Sequence, residues 1–143
     1  MNHNNYLYNL RHTCEHVLTQ AMQELYGKNN IIPAMWPPTQ DGFYFDFDIW
    51  DWCEISESNF KQIEKQMWKI IKRNLPMVHE TVDVNQAKQM FQNNSYKLER
   101  INEYGTDWTI SLYHTWDEFT DVCKWPHAES TAEIKAFKLL KIA

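Results

Sequence analysis

LRHTCEHVLTQAMQELYG, residues 10–27, decides the fold, because it carries the most regular apolar period in the chain. Leu10, Cys14, Val17, Leu18, Ala21 and Leu25 recur at three- and four-residue steps, the spacing that gathers side chains on one face of an α-helix. Gly27 stands where a helix ends, since glycine accepts the left-handed backbone of a helix stop. The pattern predicts a helix over residues 10–26. His12 and His16 fall almost opposite the middle of the stripe, one turn apart on the polar face, and are not expected to be core histidines.

Downstream, residues 31–40 carry three prolines and are expected to be irregular. They lead into GFYFDFDI, residues 42–49, where Phe43, Phe45, Phe47 and Ile49 alternate with Tyr44, Asp46 and Asp48 as in a half-buried strand. A second helix is predicted over residues 58–73, with Phe60, Ile63, Met67, Ile70 and Ile71 on one side and Leu75-Pro76 closing it. A third should start at the N-cap Asp83 and bury Val84, Ala87, Met90 and Phe91. Residues 96–101 are open between helix and other structure, whereas residues 109–113 alternate as a strand with Ile110 and Leu112 on one face. Ser130 and Glu133 have capping-box spacing and announce a helical turn running into a last strand. The sum is an α+β fold, a single domain over residues 1–143 with helices packed on a largely antiparallel sheet and the His-bearing helix against it.

The composition suits one such core: 143 residues, 43% hydrophobic and 23% charged. No run approaches the roughly 20 apolar residues of a bilayer span and the N-terminus lacks a secretory pattern, so a cytoplasmic location without a membrane partner is expected. Three cysteines at no short repeated spacing disfavour a disulfide framework or a CxxC zinc ribbon. A net charge of −5 argues against a domain that grips nucleic acid by its own field. Lys61, Lys65, Lys69 and Lys72 form a basic helix face, but such a run reads first as a solvated surface.

His12 and His16, at i and i+4, can hold a metal or arrange two imidazoles around one water. Cys123 and His127 offer a thiol and a further imidazole four residues apart, in a segment where Pro126 interrupts any helix. Each pair alone is common. Together, His-x3-His followed by Cys-x3-His resembles the two-part signature of the editing domains of threonyl-tRNA synthetases, alanyl-tRNA synthetases and free-standing alanyl editing proteins. The stretches RHTCEH (11–16), PPTQDGFYFDFD (37–48), SYKLERI (95–101) and LYHTWDEFTDVCKWPHAESTAEIKAFKLLKIA (112–143) resemble the threonyl branch.

That resemblance implies hydrolysis of serine wrongly esterified to threonine tRNA, in a pocket that rejects threonine's extra methyl. A synthetic site built for threonine cannot strongly exclude a smaller analogue, hence the need for editing. By matching, His12, His16, Lys97 and His127 are the expected catalytic residues, with Asp121 and Cys123 binding substrate; Asp121 could pair with its ammonium. Without the resemblance, Lys97 reads as a surface lysine, Asp121 as a solvated or capping carboxylate, and Cys14 as packing. The resemblance makes Asp46 and Asp48 structural. No cofactor is required on this reading, and ATP belongs only to a catalytic synthetase domain, absent from this chain, that would act in cis or in trans. Zinc on His12, His16, Cys123 and His127 is the rival cofactor, giving a zinc-dependent deacylase. A catalytically impaired tRNA-binding or structural module is the other alternative.

The chain departs from the family at tryptophan. It holds 7 Trp against 3 Gly. Trp36, Trp116 and Trp125 stand where relatives usually carry glycine, while Asp51-Trp52 and Asp107-Trp108 occupy turn-like places where Asp-Gly is the ordinary signal. Trp125, between Cys123 and His127, would fill the pocket. Phe45 stands where many relatives have tyrosine. The pattern suggests a gene that uses UGA for glycine, translated here as tryptophan, with ordinary divergence as the competing account; Trp68 lies in a helix where glycine is not expected. Sequencing the gene should find UGA at codons 36, 116 and 125, and UGG there would contradict the recoding.

Overall fold

The computed structural model describes residues 3–34, 42–50, 52–104, 108–123 and 126–142. Helix α1 (His3–Tyr26) contains the predicted segment and starts earlier. It stops at Gly27, whose φ of 101° is left-handed and whose N–H bonds the Gln23 carbonyl at 2.9 Å. A Cβ there would meet Asn30 Nδ2 at 2.8 Å, so the close turn into the next strand requires glycine.

Helix α2 (Phe60–Lys72), entered through a 3-10 turn at Glu57–Asn59, buries Ile63, Met67, Ile70 and Ile71 as their spacing requires. These pack on the α1 stripe and on Ile31 to form the main core, flanked by half-buried Phe43, Phe45, Phe47 and Ile49. Each fully buried aliphatic side chain contributes about 1.5–3 kcal/mol. Strands β1 (Ile31–Pro33) and β2 (Phe47–Ile49) pair antiparallel, Ile31 opposite Ile49. The alternation over residues 43–49 appears as expected, with Tyr44, Asp46 and Asp48 exposed, but only its end joins a ladder.

A second antiparallel sheet has the order β3 (Met77–Asp83), β4 (Thr109–Thr115), β5 (Phe119–Val122). One face carries Val82, Ile110, Leu112 and Val122 and is covered by Ala87 of α3 (Val84–Met90) and Ile101 of α4 (Ser95–Tyr104). Asp83 caps α3 by accepting the Asn85 N–H at 2.8 Å. Met90, expected in that core, is 45% exposed, and Phe91 beside it packs on the core in its place.

The C-terminal expectation also fails in part. Ser130 makes no side-chain cap; Glu133 instead accepts the Glu129 N–H at 2.8 Å, and the turn is a single 3-10 turn at Thr131–Glu133. No strand follows among the described residues. Residues 134–142 are held by side chains, Phe137 stacking on Trp68 at 4.9 Å between centroids, rather than by a sheet edge. No described helix is long and apolar enough to cross a membrane.

Trp108 (φ 65°) and Trp116 (φ 47°) have left-handed backbones, a region that disfavours bulky residues and favours glycine. Their side chains are 81% and 56% exposed, so little packing compensates. Trp36, Trp125, Asp51 and Asp107 lie outside the described residues; Trp52 is exposed, and Trp68 is an ordinary packing residue. Trp108→Gly and Trp116→Gly should each stabilise the domain by about 1 kcal/mol. Thermal melts check this, and a fall in Tm for both would contradict it.

Candidate functional site

The polar face of α1 is not a solvent face. It lies on the side of the second sheet opposite α3 and α4, and His12 and His16 are each 2% exposed. Strand alternation sends Phe119, Asp121 and Cys123 to this side, with Tyr113 directly opposite Asp121 on β4. The two-residue spacing of Asp121 and Cys123 is thus a strand period. The Cys123 N–H extends the ladder by bonding the Ser111 carbonyl at 3.0 Å.

His127 enters from the loop after β5. Thr13 of α1 fixes that loop, its Oγ1 accepting the Ala128 N–H at 2.9 Å and donating to the Asn9 carbonyl at 2.9 Å. The His127 ring stacks on Tyr113 at 4.1 Å and lies 4.1 Å from the His12 ring and 4.3 Å from the His16 ring, centroid to centroid. Cys123 Sγ is 3.1 Å from His12 Nε2. One ligand atom from each of His12, His16, Cys123 and His127 can be chosen so that all lie within 4.8 Å of one another, and all four residues are buried. The sequence signature therefore converges in space.

Lys97 and Asp121 complete the group. Both are buried, which rules out the surface readings, and Lys97 Nζ lies 2.7 Å from Asp121 Oδ1. Lys97 is delivered by the start of α4, where Asn94 Oδ1 accepts its N–H at 3.1 Å and Asn94 Nδ2 donates to the Pro33 carbonyl. Asp121 Oδ1 also accepts the Val122 N–H at 2.8 Å, and Oδ2 is 3.9 Å from His16 Nε2. The carboxylate expected to hold the substrate's ammonium is already paired. Phe45 flanks the site, its ring centroid 5.8 Å from Lys97 Nζ. Asp46 and Asp48 lie outside, exposed and accepting from the hydroxyls of Tyr44 and Tyr96. Cys14 packs in the main core, and burial pushes its thiol far above the ordinary range. None of the three cysteines is in a disulfide.

Burial pushes His12 down to about 4, against the Pro126 carbonyl and with help from Lys97's charge. His16 is held well below its ordinary value by burial and by His127, His12 and Lys97. Both rings are neutral near pH 7, the form that orients a water or ligates a metal. Asp121 is raised by burial despite Lys97.

Sequence reasoning passed over Glu15, Thr13 and Tyr113. Glu15 is completely buried, Oε2 is 3.9 Å from His12 Nε2, and its carboxyl accepts from the Tyr44 main-chain N–H but from no side chain. Burial raises it to about 9, opposed by the Tyr44 main-chain N–H and Lys97 and assisted by Asp121. A glutamate inside an otherwise regular helix was the available signal, lost because its side of α1 was read as polar surface.

A family model described as the threonyl and alanyl tRNA synthetase second additional domain matches residues 110–143. The chain is similar to the threonine-tRNA ligase of Thermotoga neapolitana, 43% identical over 133 residues, which are 93% of this chain and 20% of that protein. The Thermotoga maritima ligase is 40% identical over the same shares, and that of Staphylococcus aureus strain JH9 is 42% identical over 134 residues, 94% of this chain and 20% of the relative. The chain thus spans about a fifth of the length of the curated relatives it matches. It is a second additional domain of the kind shared by threonyl- and alanyl-tRNA synthetases. Within that family it belongs to the threonyl branch.

Glu15 gives the site a pH signature. Between its unfolded value of 4.5 and its folded value of about 9, the folded state keeps a proton that the unfolded state has lost, so rising pH favours unfolding. Glu15→Gln removes that penalty. Its stability gain over the parent should grow between pH 5 and pH 8 by on the order of 1 kcal/mol per pH unit. Denaturant unfolding at the two pH values checks this, and an equal gain at both would contradict it.

Proposed function

We propose that this domain deacylates serine from mischarged threonine tRNA by water-mediated hydrolysis. The carrying observation is the convergence of His12, His16, Cys123 and His127 beside the buried Lys97–Asp121 pair, in a chain of the threonyl branch. The partners on this reading are seryl-tRNA(Thr) and a catalytic synthetase domain acting in cis or in trans, which would also be where ATP is used.

The neutral imidazole of His12 and the neighbouring His127 ring orient a water toward the ester carbonyl carbon, and Lys97 supplies positive field for the oxygen that gains charge. The new bond joins the water oxygen to that carbon. The ester C–O bond breaks, and the departing ribose oxygen takes the proton the water gives up. Cys123, its thiol against His12, shapes the pocket wall and is not needed as a nucleophile.

Three imidazoles and a thiol also suit zinc, which supports a second reading. His12, His16, Cys123 and His127 would hold it, and it would polarise a bound water or carbonyl. With all four bound no position stays open for water, which favours the metal-free reading for the hydrolytic step.

His12→Ala and His127→Ala should each slow seryl-tRNA(Thr) deacylation by about 10²-fold or more, with and without EDTA. Full activity in both variants would overturn the assignment. Loss of parent activity in EDTA with recovery on added zinc would select the zinc reading.

A further inference from the structure

The substrate that the proposed function requires carries an α-amino group beside its ester, and a buried site must give that group a partner. Two carboxyls are present. Asp121 is engaged by Lys97 Nζ at 2.7 Å and by the Val122 N–H at 2.8 Å on one oxygen, with His16 beside the other. Glu15 has two buried oxygens that receive only a main-chain N–H, that of Tyr44, and no side-chain donor, and one of them lies 3.9 Å from His12 Nε2. It projects from α1 one turn after His12, beside the segment holding Tyr44 and close enough to Lys97 and Asp121 to feel their charge.

We infer that Glu15 is a specificity residue that holds the free α-amino group of the esterified amino acid against the His12 wall of the site. This rests on the deacylase reading and deepens it by naming the substrate class: esters of amino acids with an unblocked amino group. N-acylated esters, such as those of peptidyl-tRNA, have an amide there that cannot complete the pair. A buried carboxyl whose one donor is a main-chain N–H keeps hydrogen-bonding capacity that an entering amino group can fill. The His12-side location sets the amino group beside the reacting carbonyl, whose carbon is one bond from the α-carbon that bears the amine.

The test uses two stable probes with the whole 143-residue chain. One is 3′-deoxy-3′-(L-serylamino)adenosine, in which an amide replaces the scissile ester; the other is its 3-hydroxypropanoyl analogue, which lacks only the amino group. Calorimetric titration should show the parent preferring the amino-bearing probe by about tenfold or more, as expected for a hydrogen bond to a charged group. Glu15→Gln, nearly isosteric, and Glu15→Ala should bring the two affinities within about twofold while leaving binding of the des-amino probe unchanged, with thermal melts confirming folded variants. A preference that survives both substitutions, a parent without preference, or a parent that binds neither probe would overturn the inference. Hydrolysis of seryl-tRNA(Thr) measured alongside separates the two claims. Hydrolysis with a Glu15-independent preference removes the assignment alone; no hydrolysis with a Glu15-dependent preference removes the deacylase reading and keeps the amino-group site.

Discussion

From residue 12 to residue 22, helix α1 has no face left for water. Its apolar stripe packs on α2 and β1, and its other side lies on the second sheet. A helix buried all round is ordinarily apolar all round. This one places His12, Thr13, Glu15, His16, Thr19 and Gln20 inside, so their polar atoms must find partners within the protein or hold unmet hydrogen-bonding capacity. Thr13 and Thr19 satisfy themselves on carbonyls four residues back, and Gln20 joins Glu24 and Glu118. The histidines and Glu15 meet one another and the residues that β5 and its following loop present. The functional site is the polar remainder of a doubly buried helix.

That constraint fixes the chemistry. Burial holds the His12 and His16 imidazoles neutral and puts Lys97 and Asp121 into a pair that neither could leave cheaply, since breaking a buried ion pair costs about 3–5 kcal/mol. The fold accepts this cost at α4, where an asparagine cap and one long side chain bridge from the far face of the sheet to Asp121. A buried glutamic acid with a main-chain donor but no side-chain donor is the remaining imbalance, and such imbalances gather where a ligand completes them.

Helices α1 and α2 were legible because one-sided apolar periods of 3.6 leave little else to choose. Strand β3 was not, since six of its seven residues are exposed or half-buried and Val82 alone of them is buried, which leaves no period-two signal. Residues 96–101 were open because α4 mixes one lysine that must be buried with a short apolar pair, Leu98 and Ile101. The closing segment, expected as a helical turn running into a last strand, found its partners in side-chain contacts with α2. Of the site, the two signature pairs and the spacing of Asp121 could be read along the chain, and their convergence followed from resemblance. Glu15 and Tyr113 could not, because their roles depend on which surface covers α1. The left-handed backbones of Trp108 and Trp116 supply a physical reason for suspecting those tryptophans that composition alone lacked.

The central claim, a serine-selective deacylase built on the second side of α1, is tested most directly by incubating the 143-residue chain with seryl-tRNA(Thr) and threonyl-tRNA(Thr) under single-turnover conditions. The account predicts release of serine, with threonine retained by at least about tenfold, the order of discrimination that one methyl group can give. Equal release of both, or release of neither, would contradict it.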